Sequence, residues 1–378
     1  MTKRILLVGG ASGGHAYPLI AVAQALQKEA AIHNTTVEVL LMGEGAVLSK
    51  AAKENNLPLK RILAGKLPRY FDPRIILDVI KIPISFLQAL WYVFWFMPNV
   101  IFSKGGYDSV PPALVGKLYF IPVFTHESDS VPGVANRIIG KLSTVIFLAF
   151  KNAAKYFPAA KTVVVGNPVR YDLLQATREI GLQQFKFSSD KKILFVMGGS
   201  QGAQQINNII LDSLVQLTEK YQIIHQCGPS QFEKFSKEVE KLSVEGGGKY
   251  TEQIERNYRP VAYLDSQQYG AALAAADIVI SRAGAGSLFE IAAAGKPAVI
   301  IPLESAANNH QLLNAAEFSR ITGAAVVEGA NMTTNILLNQ IDRLLEPGNY
   351  ATVSQAMKSF ATPQAASAIA QALLTAMQ

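Results

Sequence analysis

Two doubly wound α/β domains in tandem are what this 378-residue sequence predicts, on three observations. Short apolar runs alternate with helical stretches, as they do when a parallel sheet is covered on both faces. The segment "KRILLVGGASGGHAYPLIAVAQAL" (3–26) has a counterpart in "KKILFVMGGSQGAQQINNIILDSL" (191–214), each an apolar strand, a glycine-rich turn and a helix. A restart of that kind implies a second unit built on the same plan. Finally, 49% of the residues are apolar, enough to fill two cores and incompatible with a disordered chain.

In the first half, "ILLVGG", "VEVLLMG", "NVIFSKGG" and "IPVFTHE" read as strands, with a helix over 19–30 and another before the third strand. The uncharged stretch from Ile82 to Ser103 is tested against a membrane span. Pro83 and Pro98 confine an uninterrupted helix to the residues between them, which at ~1.5 Å per residue is shorter than a ~30 Å hydrocarbon core. A short apolar helix followed by a strand is therefore expected. Within it "WYVFWF" follows Lys66, Arg69, Arg74 and Lys81, which suits either a membrane-interface face or a core helix with a solvated basic approach. The glycine-asparagine-proline of "VVVGNPVR" (163–170) interrupts regular structure and places the domain boundary, giving domains 1–166 and 167–353. Beyond it, "YQIIHQCG", "VAYLD", "DIVISRAG" and "PAVIIPL" are strand candidates. "EGGGK" (245–249) reads as an exposed loop, and the alanine-rich tail 354–378 as helix interrupted only by Pro363.

A formal charge of +7 favours anionic partners, whether nucleic acid, phosphorylated substrates or an acidic membrane face, without choosing among them. Cys227 is the only cysteine, so no intrachain disulfide forms and a reducing cytoplasmic compartment is the default. "MTKRILLVGG" reads as a first strand rather than a signal peptide.

A glycine loop entering a helix presents unpaired backbone N–H groups and a partial positive charge, so it can hold a phosphate or a developing anion; it can also be only a tight turn. "GGASGG" (9–14) lacks the G-x-G-x-x-G spacing of a dinucleotide site, and His15 and Ala16 stand where a P-loop has Lys and Ser/Thr. His15, at the carboxyl end of the first strand, faces the crevice where open α/β sheets bind ligands and has the pKa range of a general base. The remaining histidines, His33, His126, His225 and His310, have no zinc-ligand spacing, and no D-x-D pair occurs, which favours metal-independent chemistry.

"GGASGGHAYP", "SKGGYDSVPP", "THESDSVPGVANR", "VVGNPVR", "GGSQGAQQIN", "SRAGAGSLFEIAAAGKPAVIIPL" and "NNHQLLNA" follow one another as in the MurG family of N-acetylglucosaminyltransferases, within glycosyltransferase family 28; the resemblance runs from about Lys3 to about Glu328. It implies a GT-B fold, two Rossmann-like domains facing across a cleft, with a C-terminal helix (354–378) returning to the N-terminal domain. It also implies inverting transfer of N-acetylglucosamine from its UDP ester to the C4 hydroxyl of the muramoyl sugar of lipid I, giving lipid II for peptidoglycan, with no metal or other cofactor. Lipid I, an undecaprenyl-pyrophosphoryl-muramoyl peptide, places such an enzyme peripherally on the cytoplasmic side of the cell membrane, against an anionic surface and away from nucleic acid. By the same resemblance His15 and Glu127 are the catalytic candidates, with Ser12, Gly13 and Gly14 bordering the sugar and the acceptor pyrophosphate. Arg170 and Ser200 match donor contacts, and Leu264 the residue whose backbone meets uracil. Ala285, Gly286, Ser287, Leu288, Phe289 and Glu290 match the donor segment, with Glu290 on the ribose hydroxyls; Gln311, or His310 beside it, matches a sugar contact. Asp129 stands where the family usually has asparagine. Two alternatives share the architecture: a transferase with another lipid acceptor such as a diacylglycerol, and a UDP-N-acetylglucosamine 2-epimerase. The epimerase would need acid/base carboxylates and no lipid-facing patch. A sugar-nucleotide binder without catalysis is a third, against which His15 and Glu290 together argue.

Overall fold

The computed structural model describes all residues except 1, 11, 64, 66–74, 200, 201, 246, 247, 249, 304–308 and 378. The chain forms two compact units, Met1–Arg170 with Thr362–Gln378, and Tyr171–Ala361.

The first unit carries a seven-stranded sheet in the order β3-β2-β1-β4-β5-β6-β7, every pairing parallel. Its strands are β1 Lys3–Val8, β2 Val37–Gly43, β3 Leu59–Arg61, β4 Val100–Ser103, β5 Val123–Glu127, β6 Val145–Leu148 and β7 Thr162–Val164. The crossovers are α1 Gly13–Ile32, α2 Ala46–Glu54, α3 Ile75–Phe96, α4 Val110–Leu118 and α5 Val134–Leu142. Central strands are apolar end to end because both faces are covered: Ile5 and Leu7 join one core layer, Leu6 and Val8 the other. Phe102, Phe124 and Phe147 interlock in the first layer, with ring centroids 6.1 and 6.5 Å apart.

The second unit repeats the plan with six parallel strands in the order β10-β9-β8-β11-β12-β13. They are β8 Lys192–Met197, β9 Tyr221–Gln226, β10 Tyr258–Val261, β11 Ile278–Ser281, β12 Ala298–Ile300 and β13 Ala325–Val326. Around them lie α6 Arg178–Phe185, α7 Gln204–Asp212, α8 Leu214–Lys220, α9 Phe232–Glu245, α10 Thr251–Asn257, α11 Ser266–Ala275, α12 Ala285–Ala293, α13 His310–Thr322, α14 Thr334–Leu345 and α15 Pro347–Phe360. The last helix, α16 Ala365–Thr375, belongs to the first unit.

Five expectations shift. Helix α1 begins at Gly13, not at residue 19, so His15 lies in its first turn; Pro18 is accepted inside it, its fixed φ already being helical. Helix α3 runs through Pro83 rather than starting after it. Ser85, two residues on, donates its hydroxyl to the Ile82 carbonyl at 2.9 Å, one turn above the carbonyl of residue 79 that loses its donor to the proline. "VAYLD" overlaps the end of β10, which starts earlier, at Tyr258. The tail does not leave the second unit at residue 354: α15 packs on α12 and α13, with Phe360 against Phe289 and Phe318, and the chain re-enters the first unit only at Thr362. Arg170 likewise closes the first unit instead of opening the second. Among the described residues no helix is long and apolar enough to cross a membrane.

The return is built into the core. Helix α16 packs on α1, placing Ile369, Ala370 and Leu373 among Leu19, Val22 and Leu26; Gln371 donates to Glu29 at 3.1 Å. Leu373→Ala should therefore destabilise the first unit by about 2–5 kcal/mol, as a buried leucine truncation does. Urea unfolding of variant and wild type measures this, and a loss well under ~1 kcal/mol would mean that α16 is not part of that core.

Candidate functional site

A parallel sheet whose strand order reverses leaves a crevice at the carboxyl ends of the two strands that flank the reversal. In the first unit those strands are β1 and β4, and in the second β8 and β11. Both glycine-rich loops follow the first strand of such a pair.

In the first unit the loops after β1 and β4 touch. Gly10 N–H donates to the Gly105 carbonyl at 3.0 Å, and Gly106, at φ +99°, lies so near Gly10 that a side chain there would meet its backbone at 2.9 Å. Ser12 caps α1 through its backbone only, its side chain making no cap bond. That leaves N–H groups of the first turn, at Gly13 and Gly14, without intrahelical acceptors. His15 projects from this turn with Nδ1 3.3 Å from Ser12 Oγ.

Beneath it lies a group of charges. Lys104, just after β4, is 1% exposed and its ammonium bonds Ser128 Oγ. Glu127 closes β5, also buried; its Oε1 accepts from the Asp129 N–H and its Oε2 from Asn136 Nδ2 of α5, each at 2.9 Å. Burial pushes the Glu127 carboxyl up to about 7 with help from Asp129, against the Asp129 N–H, Asn136 and Lys104. Burial brings the Lys104 ammonium down to about 8, opposed by Glu127 and Asp129. His15 keeps an edge open to solvent but loses most of its hydration to the surrounding protein. That desolvation lowers its imidazole to about 4, the Lys104 charge adds to the shift, and Asp129 opposes it. His15 is thus neutral at pH 7 and able to accept a proton. Arg170, the remaining candidate in this unit, closes it rather than opening the second and stacks its guanidinium 4.0 Å over the Tyr17 ring of α1.

In the second unit, β11 ends in a loop held by Asn314 of α13, whose Nδ2 donates to the Ala283 carbonyl at 3.2 Å. Helix α12 then starts at Ala285 after Gly284, with no side-chain cap and no acidic residue in its first turn, so the N–H groups around Gly286 and Ser287 form an anion-facing end. Glu290, one turn on, accepts from Tyr269 Oη at 2.9 Å. Leu288 and Phe289 point into the core, so a ligand can meet them only through their backbone. Leu264 is buried too, and its N–H donates to Gln226 Oε1 at 3.2 Å. Gln311, in the first turn of α13, accepts from the Leu303 N–H at 3.0 Å. Ser200 lies outside the described residues, as do Lys66, Arg69 and Arg74.

The candidates therefore gather into two sets: Ser12, Gly13, Gly14, His15, Glu127 and Asp129 in the first unit, and Leu264, 285–290 and Gln311 in the second. Sequence reasoning passed over Lys104, Asn136, Tyr269 and Gln226. Only Lys104 carried a signal, as a lysine between an apolar strand and a glycine pair. Among the described residues no cluster of three His, Cys, Asp or Glu side chains could hold a metal ion.

The glycosyltransferase family 28 N-terminal domain matches residues 5–148 and the glycosyltransferase family 28 C-terminal domain residues 193–371. A UDP-N-acetylglucosamine--N-acetylmuramyl-(pentapeptide) pyrophosphoryl-undecaprenol N-acetylglucosamine transferase of Bacillus cereus is 35% identical over 370 residues, 98% of each chain. The crystal structure of Acinetobacter baumannii MurG superposes with a TM-score of 0.73 at 25% identity, covering 99% of both chains. A Neisseria meningitidis UDP-GlcNAc 2-epimerase bound to UDP-GlcNAc reaches 0.67 at 15% identity over 98% of this chain and all of its own, a likeness of fold alone. With 35% identity along almost its whole length and both halves matched, the chain belongs to the MurG family of glycosyltransferase family 28.

Proposed function

We propose that the protein transfers N-acetylglucosamine from UDP-N-acetylglucosamine to the C4 hydroxyl of the muramoyl sugar of lipid I, giving lipid II. The observation that carries this reading is the pair of glycine-rich loops at the reversal points of two parallel sheets, in a chain 35% identical to a named transferase. The acceptor diphosphate lies on the N–H groups of Gly13 and Gly14, and UDP on the second unit. Leu264 meets the base by its backbone, Glu290 the ribose hydroxyls, and the start of α12 the diphosphate. In the transfer the acceptor oxygen bonds the anomeric carbon, the bond to the diphosphate breaks, and UDP leaves with the electron pair. His15 takes the hydroxyl proton, while Glu127, buried and already bonded on both oxygens, holds the turn that presents Asp129. A base near 4 is weak at neutral pH, and the negative diphosphate set beside it raises it toward the working range. Helix N-termini stabilise the departing diphosphate, so no metal is required.

Docking on an anionic membrane face, from the cytoplasmic side, belongs to the same proposal. Helix α3 buries Ala89 and Val93 and turns Leu87, Trp91, Phe94 and Trp95 to solvent; adjoining α4 adds Leu114 and Leu118. The two tryptophans are about 62% and 64% exposed, far beyond what a core helix shows. Lys60 lies 5.7 Å over Tyr92 on the same helix, and Lys81 precedes the patch. Aromatic side chains flanked by lysines suit the headgroup layer.

Purified protein incubated with UDP-N-acetylglucosamine and lipid I should yield lipid II by mass spectrometry; no transfer to lipid I, or 2-epimerisation of the donor alone, would refute the assignment. His15→Ala should lower turnover by ~10²-fold or more with UDP affinity near wild type. In the free protein the His15 ring protons should titrate near 4 by NMR, moving up when pyrophosphate is added. Because folded His15 titrates below its unfolded value of ~6.5, its contribution to stability is present above that pH and is lost as the pH falls toward 4. A midpoint at ~6.5 that ignores pyrophosphate would remove His15 from the site. Glu290→Ala should weaken UDP at least ~tenfold by calorimetry, since it removes charge-assisted bonds to the ribose. Trp91→Ala with Trp95→Ala should reduce co-sedimentation with anionic vesicles ~tenfold or more while sparing turnover on a short-chain soluble acceptor; unchanged sedimentation would move the docking face elsewhere.

A further inference from the structure

The family resemblance places nucleotide contacts in the loops after β8, β10 and β11 of the second unit, and strand β9 lies between β8 and β10. Its last residue, Gln226, is 4% exposed and makes a hydrogen bond to the loop after each of these two neighbours. On one side Gln226 Nε2 donates to the Gly199 carbonyl at 3.1 Å. The same carbonyl accepts the Gly202 N–H at 3.1 Å; Gly199 and Gly202 both take positive φ, +82° and +78°. On the other side Gln226 Oε1 accepts the Leu264 N–H at 3.2 Å.

The amide of Gln226 thus ties Gly199, in the loop after β8, to the Leu264 backbone, in the loop after β10. The preceding residue anchors the helix that follows the first of these loops. Asn207 of α7 donates from Nδ2 to the Cys227 carbonyl at 3.0 Å and to Gln231 at 2.8 Å, so its Oδ1 accepts from His225 Nε2–H at 3.1 Å. His225 Nδ1 then accepts from Tyr258 Oη at 2.7 Å. This buried frame holds α7 to β9, and Gln226 is the member of it that reaches both loops.

We infer that Gln226 is a positioning residue for the donor, fixing Gly199, and through it Gly202, in one register with the backbone of Leu264 so that the diphosphate and the uracil of a single UDP are met together. The inference rests on the assignment of those two loops to the nucleotide. Gln226 need not touch the ligand; it acts through the two groups it bonds.

Two substitutions test it. Gln226→Leu keeps the volume and loses both bonds; Gln226→Glu keeps the acceptor for Leu264 and loses the donor to Gly199. By calorimetry Gln226→Leu should weaken UDP about tenfold or more, with the donor KM rising in parallel and the lipid I KM within about twofold of wild type. Gln226→Glu should bind uridine within about threefold of wild type yet lose about tenfold on UDP, a split that general destabilisation does not produce. Wild-type affinity for UDP in folded Gln226→Leu overturns the inference alone, as does a parallel rise of both KM values with a lowered melting temperature. Wild-type protein that binds no UDP overturns the site assignment and this inference together.

Discussion

Every functional feature of this chain follows from one constraint: both sheets are wholly parallel and covered on both faces. Strands such as Ile5–Val8 and Ile193–Met197 have no wet side on which to carry polar chemistry. What remains open is the carboxyl edge, and there the reversal of strand order separates neighbouring crossovers and leaves loop N–H groups unpaired. The same geometry arises twice because the same topology does. Glycine at 10 and 106 lets two loops share that edge in the first unit, where a side chain would hold them apart.

The edge also gathers charges that a core would reject. Lys104 and Glu127 lie close enough to shift one another, with Asp129 acting on both, and burial opposes the ionisation of each. Desolvating a charge costs several kcal/mol, and pairing returns only part of it. A cluster so arranged beside a helix start and a neutral histidine contributes reactivity at some expense of stability, as functional sites commonly do. Asp129 fits this picture: its N–H organises Glu127 while its carboxylate opposes the downward shift of His15, a role that an asparagine there would not fill.

Much of this was legible in the sequence, and the reasons for the misses differ. The paired glycine loops and the alternation of strand and helix are local signals, and they located β1, β2, β4, β5, β8, β9 and β11. Strands β3 and β13 are three and two residues long and carry too little pattern to be read. Pro83 misled because a proline removes one backbone bond without always ending a helix, and the burial of Ala89 and Val93 that holds α3 lies more than a turn beyond it. Arg170 sits in a motif that suggested the second domain, yet a guanidinium goes where an aromatic face and enclosure await it, which a linear reading does not contain. Leu288 and Phe289 belong to a donor-like segment, but the helical period turns them to the core. Lys104, Gln226 and Tyr269 owe their importance to partners 21 to 38 positions away.

The chain's route between its units has a consequence for synthesis. Residues 362–375 complete the core beside α1, so on the ribosome the first unit emerges early and waits for its last helix until the whole second unit has been made. At about 5–20 residues per second, that leaves the apolar groove of Leu19, Val22 and Leu26 uncovered for many seconds. The second unit, by contrast, is contiguous and can fold as it emerges. The nascent chain therefore passes through a state in which its second unit is finished and its first is still open, an interval in which chaperones have a defined target.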